Sequence, residues 1–190
     1  HERALLAWLD AVLDRYPGLV MENCASGGMR SDYAMLSRLQ LQSTSDQQEH
    51  HRYPAIAASA PAAIAPEQAA VWAYPQPEFG DAENVFVLCN ALLGRVHLSG
   101  NLDRMTPEQR ALVADGMEVY KRIRADIPVS VPFWPLGLPG WTDAWIAQGL
   151  RGGDKTYLTV WRRPGEESAA EQTLAIPHLR GRNVDVQVLF

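Results

Sequence analysis

Between Glu22 and Glu49 the chain gathers a high density of groups able to act on a polar ligand. Glu22-Asn23-Cys24-Ala25-Ser26-Gly27-Gly28-Met29-Arg30-Ser31-Asp32 offers carboxyl, amide, thiol and hydroxyl groups around two adjacent glycines. Consecutive glycines permit backbone conformations that a β-carbon forbids and let a polar partner come close to the bare chain. A second cluster, Gln40-Leu41-Gln42-Ser43-Thr44-Ser45-Asp46-Gln47-Gln48-Glu49, sets Asp46 among uncharged polar neighbours, with no Arg or Lys beside it. A carboxyl in that setting suits keeping a proton and donating it, the work of a general acid. Taken singly, Gly-Gly is also an ordinary tight turn, and Asp46 also a solvent-facing cap at a strand end.

The pattern around them says what must hold them in place. The apolar run Leu19, Val20, Met21 predicts a buried strand over 19–22, followed by the bare loop and a helix over 31–39 with Ser31 as N-cap. A short strand over 40–44 then carries Asp46 near its end. In α/β folds, ligands gather on loops at the carboxyl ends of strands. Upstream, Leu5, Leu6, Trp8, Leu9, Val12, Leu13 and Tyr16 share one helical face, and Pro17-Gly18 ends that helix. Downstream, Pro54, Pro61 and Pro66 interrupt an Ala-rich stretch and leave room for a short helix within 54–60.

A third strand is expected over 71–74, closed by Pro75-Gln76-Pro77. A helix over 82–93 follows, with Val85, Leu88, Cys89 and Leu92 on one face and Gly94 as its stop, then a fourth strand over 95–100. Thr106-Pro107-Glu108-Gln109 opens a helix running to about Arg124 that buries Leu112, Val113, Met117, Tyr120 and Ile123. Four successive strand–helix units argue for a parallel α/β arrangement. Beyond Asp126 the pattern changes to strands over 129–134, 145–150, 156–162, 173–176 and 184–189, an antiparallel β region.

The 190 residues are 47% hydrophobic and 21% charged with a net charge of −5, an ordinary globular composition. No basic run marks a nucleic-acid partner, and no apolar run approaches the ~20 residues that cross a bilayer. Cys24 and Cys89 form neither a disulfide framework nor a Cys-x-x-Cys metal site. His50-His51, with Asp46 or Glu49, raises a metal reading. Adjacent residues of an extended chain point opposite ways, however, and no His-Glu-x-x-His spacing occurs, so neither a metal ligand set nor a cofactor is expected.

With both polar clusters in view, the segment from Glu22 to Asp46 resembles the α-galactosidase (melibiase-like) glycoside hydrolases known as family 36 of clan D. Cys24, Ser26, Gly27, Gly28, Arg30 and Asp32 match their Cys-x-Ser-Gly-Gly-x-Arg-x-Asp strand end, and Ser45-Asp46 a Ser-Asp about one barrel repeat later. The resemblance implies a fold: residues 1–127 as strands five to eight of a (β/α)8 TIM barrel, and 128–190 as the start of a C-terminal antiparallel β domain. The chain would then be a fragment at both ends, as its start at His1-Glu2-Arg3 and its last strand both imply. Half a barrel has open sheet edges, which a partner or further copies of the chain would have to cover.

The resemblance also implies chemistry, a retaining hydrolysis of α-galactosides by two carboxyl groups roughly 5–5.5 Å apart. Asp46 takes the position of the general acid/base, a role that calls for partial burial and a neighbouring carboxylate. The nucleophile is an Asp in a Lys-x-Asp strand lying before His1, so the isolated chain is expected to be inactive. Asp103, the best internal carboxylate, does not match the family pattern and is read as structural. Cys24, Gly27 and Gly28 match positions lining the sugar pocket near the 2-hydroxyl, Cys24 being both buried and at the pocket wall. Gln42, Tyr74 and Gln76 lie at strand ends within reach of the site, while Arg30 and Asp32 are expected to pair and hold the loop. Trp72, Trp134, Trp141, Trp145 and Trp161 offer stacking faces, although core packing is the default for Trp.

Two departures bear on galactose as the sugar. The acid/base loop reads Ser45-Asp46-Gln47-Gln48-Glu49 where the family often has Ser-Asp-Asn-Thr-Asp, and Tyr74-Pro75-Gln76-Pro77 replaces a Pro-Asn-His type. A transglycosylase of the same fold and a non-catalytic sugar-binding protein on a degenerate barrel are the alternatives. A cytoplasmic location is favoured.

Overall fold

The computed structural model describes residues 1–164 and 169–190. Helix α1 (Glu2–Arg15) ends where Tyr16 leaves helical geometry just before Pro17. Of its expected apolar face only Leu9 is buried, whereas Leu5 and Trp8 stay exposed. Asp10 on α1 receives both Nε and Nη2 of Arg38, at 2.7 and 3.0 Å, which ties α1 to the chain beyond the first strand.

Four strands then follow in sequence order, β1 (Glu22–Asn23), β2 (Leu41–Ser43), β3 (Ala69–Ala73) and β4 (Arg95–Leu98), all parallel and each beside its predecessor. The helices α2 (Tyr33–Leu36), α3 (Tyr53–Ser59), α4 (Asp81–Cys89) and α5 (Pro107–Ile123) come after these strands in turn. Parallel neighbours need such crossovers, so the expected run of strand–helix units is what forms. Helix α5 starts at the predicted capping box, with the Thr106 hydroxyl accepting from Gln109 N–H and the Gln109 side chain accepting from Thr106 N–H.

Residues on one face of β3 and inner residues of the helices make the main core, with Val71, Ala73, Tyr53, Ala57, Leu88, Met105 and Val113 buried together. The other face is concave. β1 and β4 lie at opposite edges of the sheet, three strand spacings of ~4.8 Å apart if it were flat. Yet Glu22 Oε1 on β1 comes within 3.8 Å of His97 Nδ1 on β4, and the Trp72 ring lies edge-on to His97 at 4.9 Å. Only a strongly curled sheet brings its two edges together in this way.

A second sheet, β5 (Val131–Phe133), β6 (Trp145–Gly152) and β7 (Lys155–Arg162), is antiparallel. Ile146 and Trp161 pack on Ala55 and Ala58 of α3, and Leu150 on Leu93, Ile123 and Ile127. Trp134 Nε1 donates to the Ala58 carbonyl at 2.6 Å, a further tie between the two sheets.

Several expectations are corrected. The strand expected over 19–22 begins only at Glu22, and Leu19 and Val20 are exposed because β1 is an edge strand with no neighbour on its outer side. Asp32, not Ser31, caps α2, accepting from Met35 N–H, and α2 is far shorter than 31–39. Helix α4 ends at Cys89, and turns occupy the chain as far as Gly94. Residues 173–176 and 184–189 are not strands. Val186 is 89% exposed, and among the described residues this β-prone segment pairs with no strand, so its propensity has nothing to act on.

Burial makes the core sensitive to alkali. It pushes the Tyr53 hydroxyl up to about 12 from 10.0, and the Cys89 thiol up to about 11 from 9.0. A proton held more tightly in the folded state supplies stability below the unfolded pKa and withdraws it as pH rises through the folded one. Stability should therefore hold to about pH 9 and decline toward about pH 12, by roughly 2–3 kcal/mol for each group. Urea midpoints measured across that range check this, and Cys89→Ala should remove the earlier part of the decline. A flat profile would contradict the burial of both groups.

Candidate functional site

The rim of the concave face is built where β1 and β2 end. After Asn23 the chain turns through Ser26 (φ 45°) and Gly27 (φ 74°), consecutive left-handed residues, the first of them bearing a side chain. Ala25 N–H donates to the Gly27 carbonyl at 3.2 Å, and the Ser31 N–H and hydroxyl donate to the Gly28 carbonyl at 3.1 and 2.8 Å. A β-carbon at Gly27 would sit 2.5 Å from Ser45 Cα and 2.7 Å from Asp46 N, and one at Gly28 would sit 2.9 Å from the Thr44 carbonyl oxygen. The close polar approach expected at Gly27 and Gly28 is thus made by the chain itself, and the bend and Asp46 meet as backbone against backbone.

Below the rim the pairing is buried. Gln42 is 1% exposed and Asn23 is buried beside it, with the Asn23 amide donating to Gln42 Oε1 and to the Arg30 carbonyl. The Gln42 amide nitrogen donates to the carbonyls of Asn23 and Ser43 at 3.1 and 2.8 Å. Gln42, expected to reach a ligand, has its polar atoms committed and serves instead to lock β1 to β2. Tyr53 separates β2 from β3 above that point: its hydroxyl accepts from Trp72 N–H at 3.0 Å and meets the Thr44 hydroxyl at 3.1 Å. Strand pairing stops at Ser43 and Ala70, and the chain from Ser45 onward is free to diverge.

Asp46 is exposed, and among the described residues no hydrogen bond or ion pair engages its carboxyl. The partial burial expected of it is not found. Its charge is nonetheless felt nearby: the Tyr74 hydroxyl is pushed up first by burial and then by Asp46. Tyr74 projects from the same side of the sheet as Trp72, the rings stacked at 6.2 Å and 12°. Gln76 bridges outward, its Oε1 accepting from the Asn101 amide at 2.8 Å. Cys24, expected to be buried, is exposed at the end of β1. Arg30 and Asp32 form no ion pair among the described residues; the first lends its carbonyl to Asn23 and the second caps α2. Asp103 lies exposed in a short helical turn, Leu102–Arg104.

The chain after Asp46 turns sharply instead of extending. Glu49 Oε1 accepts from His51 N–H at 3.0 Å, and the Glu49 carbonyl from Arg52 and Tyr53 N–H. The His50 and His51 rings consequently lie side by side, centroids 3.9 Å apart, contrary to the opposed directions an extended chain would give. Burial first, and then His51, pull the His50 pKa down. Arg163, at the end of β7 and only 7% exposed, holds this turn from the second sheet. It donates to the carbonyls of His51, Trp141 and Asp143. Burial lowers its pKa, and Asp143 and Glu49 act against that.

Beside the rim an open cleft of about 620 Å³ runs between α3, the bend and the 139–141 loop, walled by Ser26, Met29, Thr44, Ile56, Ala60 and Trp141. Trp141 is the half-exposed member of the expected stacking set, with the Arg52 guanidinium 6.0 Å above its ring, while Trp161 is core. The sequence marks neither His97, Tyr53 and Arg163 nor the partner of Glu22. An edge-to-edge side-chain contact, a hydroxyl between two strands and a guanidinium from another sheet leave no local pattern.

No protein-family model and no curated protein matches this chain. Solved structures do. A variant of the GH36 alpha-galactosidase AgaA from Geobacillus stearothermophilus in complex with raffinose superposes with a TM-score of 0.78 at 16% identity over 92% of this chain. AgaB from the same organism gives 0.72 at 20% identity over 92% of this chain. The alpha-galactosidase from Lactobacillus brevis gives 0.72 at 15% identity over 88%. The chain spans about a quarter of these proteins, 24% of each. At such identities the likeness is one of fold, and it covers both sheets.

The contact at Gly27 predicts its own test. Gly27→Ala should cost about 3 kcal/mol, from a forced left-handed alanine and overlap with Ser45. Gly18→Ala, where nothing lies within 4 Å, should change stability by less than about 0.5 kcal/mol. Chemical denaturation of both variants checks this, and equal stabilities would refute the packed bend.

Proposed function

We propose that this chain is the C-terminal half of the catalytic barrel, residues 1–127, and the start of the following β domain, residues 128–190, of a retaining α-galactosidase-like glycoside hydrolase. The observation that carries the reading is the contact of Gly27 with the Ser45–Asp46 backbone. It unites the two polar clusters on one rim at the carboxyl ends of adjacent parallel strands, where α/β barrels work. The curl that brings Glu22 to His97 and the superposition on alpha-galactosidases, one of them holding raffinose, support it.

In this reading Asp46 donates its proton to the glycosidic oxygen as the bond from that oxygen to the anomeric carbon breaks. A carboxylate from a strand outside these residues bonds to the anomeric carbon from the opposite face. Asp46, now ionised, then takes a proton from water as water displaces that carboxylate, and configuration is retained. Cys24 and Tyr74 face the sugar, and Gln76 steadies the neighbouring strand end. Gln42 contributes only by holding β1 and β2 in register. The substrate class is an oligosaccharide or other glycoside ending in α-galactose. The exposure of Asp46 is what favours the second reading, a sugar-binding protein without turnover.

The test uses the longer protein that contains this sequence. Asp46→Asn should lower kcat on raffinose by about 10²–10⁴-fold, the usual worth of a general acid. Azide should restore turnover on an activated galactoside and yield a galactosyl azide of retained configuration. The 190-residue chain alone should not hydrolyse nitrophenyl α-galactoside. Undiminished activity of Asp46→Asn would end the assignment, and a longer protein that binds galactosides without turnover would establish the second reading.

A further inference from the structure

The turn that follows Asp46 brings three metal-ligating side chains to one point. Glu49 Oε1 lies 3.9 Å from His50 Nδ1 and 3.5 Å from His51 Nδ1, and one donor atom from each residue lies within 4.8 Å of the other two. Donors bound tetrahedrally to zinc at ~2.0–2.1 Å sit roughly 3.4 Å apart. The set is therefore within a small side-chain adjustment of a zinc geometry. We propose that Glu49, His50 and His51 form a binding site for a divalent transition metal, zinc being the ion best suited to two imidazoles, a carboxylate and one remaining position for water.

A second observation points the same way. His50 Nε2 is a buried nitrogen with no hydrogen-bond partner among the described residues, and Glu83 Oε1 on α4 stands 3.9 Å from it, on the far side of the ring from Glu49. A histidine that ligates through one nitrogen characteristically directs the other N–H to a carboxylate, which fixes the ring and strengthens the ligand. Glu83 is placed for that part. The turn is also held from outside the cluster: Arg163 binds the His51 carbonyl, Arg52 and Tyr53 N–H bind that of Glu49, and the His50 ring packs on Phe79 at 4.7 Å. Donors already held in place lose little freedom on binding.

The positive charges nearby set the strength. Arg52 Nε is 3.7 Å from Glu49 Oε2, and Arg163 adds a second cation close by, so binding should be weaker than at a structural zinc site. The site does not depend on the glycosidase reading. Its effect on the fold would be to lock residues 49–51 as one unit just beyond Asp46.

Titration calorimetry of the purified chain with zinc chloride in a non-coordinating buffer tests it, together with His51→Asn and Glu83→Gln, each checked for folding by circular dichroism. One zinc per chain is expected, with affinity reduced at least about tenfold in His51→Asn and about tenfold in Glu83→Gln, as for other outer carboxylate partners. Glu83→Gln keeps an oxygen to receive Gly80 N–H, so the start of α4 is preserved. Cobalt(II) should give visible d–d bands without a thiolate charge-transfer band. Absence of saturable binding, equal affinity in His51→Asn, or a thiolate band implicating Cys24 or Cys89 would each overturn the proposal.

Discussion

Everything at the rim follows from the absence of side chains at Gly27 and Gly28. Two strands can end side by side yet send their loops anywhere. Here the first loop lies on the backbone that leaves the second strand, at a separation no β-carbon would tolerate. The left-handed turn at Ser26 and Gly27 is sustained by carbonyls that receive Ala25 and Ser31. Strain of that sort persists only where surrounding contacts overdetermine it. The buried Asn23–Gln42 pair supplies part of that constraint, because a slip of either strand would strand its amides away from water.

The concave face extends the same logic across the sheet. Short parallel strands curl, the contact of Glu22 with His97 spans the hollow, and Trp72 fills the space beside them while donating to the Ser43 hydroxyl. Polar groups so placed on the inner surface need partners, and these strands supply them to one another. Tyr53 completes the arrangement by separating β2 and β3 at their ends, so that the chain beyond Ser45 leaves the sheet.

Where a signal was local, it was readable. Thr106-Pro107-Glu108-Gln109 carries its capping box within four residues, and the strand–helix alternation needs only periodicity. The two polar clusters could be joined because their motifs are short and ordered, although the contact that joins them is not visible in either one. The failures share a cause in what lies alongside. Leu19, Val20 and residues 184–189 have the composition of strands, but a strand exists only when another chain segment receives its hydrogen bonds. Asp46 is expected partly buried and Cys24 buried, but both stand exposed beyond the strand ends, where no neighbouring segment covers them among the described residues. The two histidines misled for a different reason. Opposed side chains follow from extended backbone, and the carbonyl of Glu49 draws in two N–H groups and bends it.

Arg163 has one further implication. Its guanidinium reaches from the end of the antiparallel sheet to the His51 carbonyl, and one of its nitrogens, Nη2, is buried without a hydrogen-bond partner among the described residues. This cation holds main-chain oxygens of His51, Trp141 and Asp143, and the Asp143 and Glu49 carboxylates favour its charge, so it fixes the backbone path of the turn after Asp46. The antiparallel sheet is therefore coupled to the turn that follows β2. A change that moved β7 away from α3 would withdraw the Arg163 guanidinium and leave the loop beside Asp46 without this outer support.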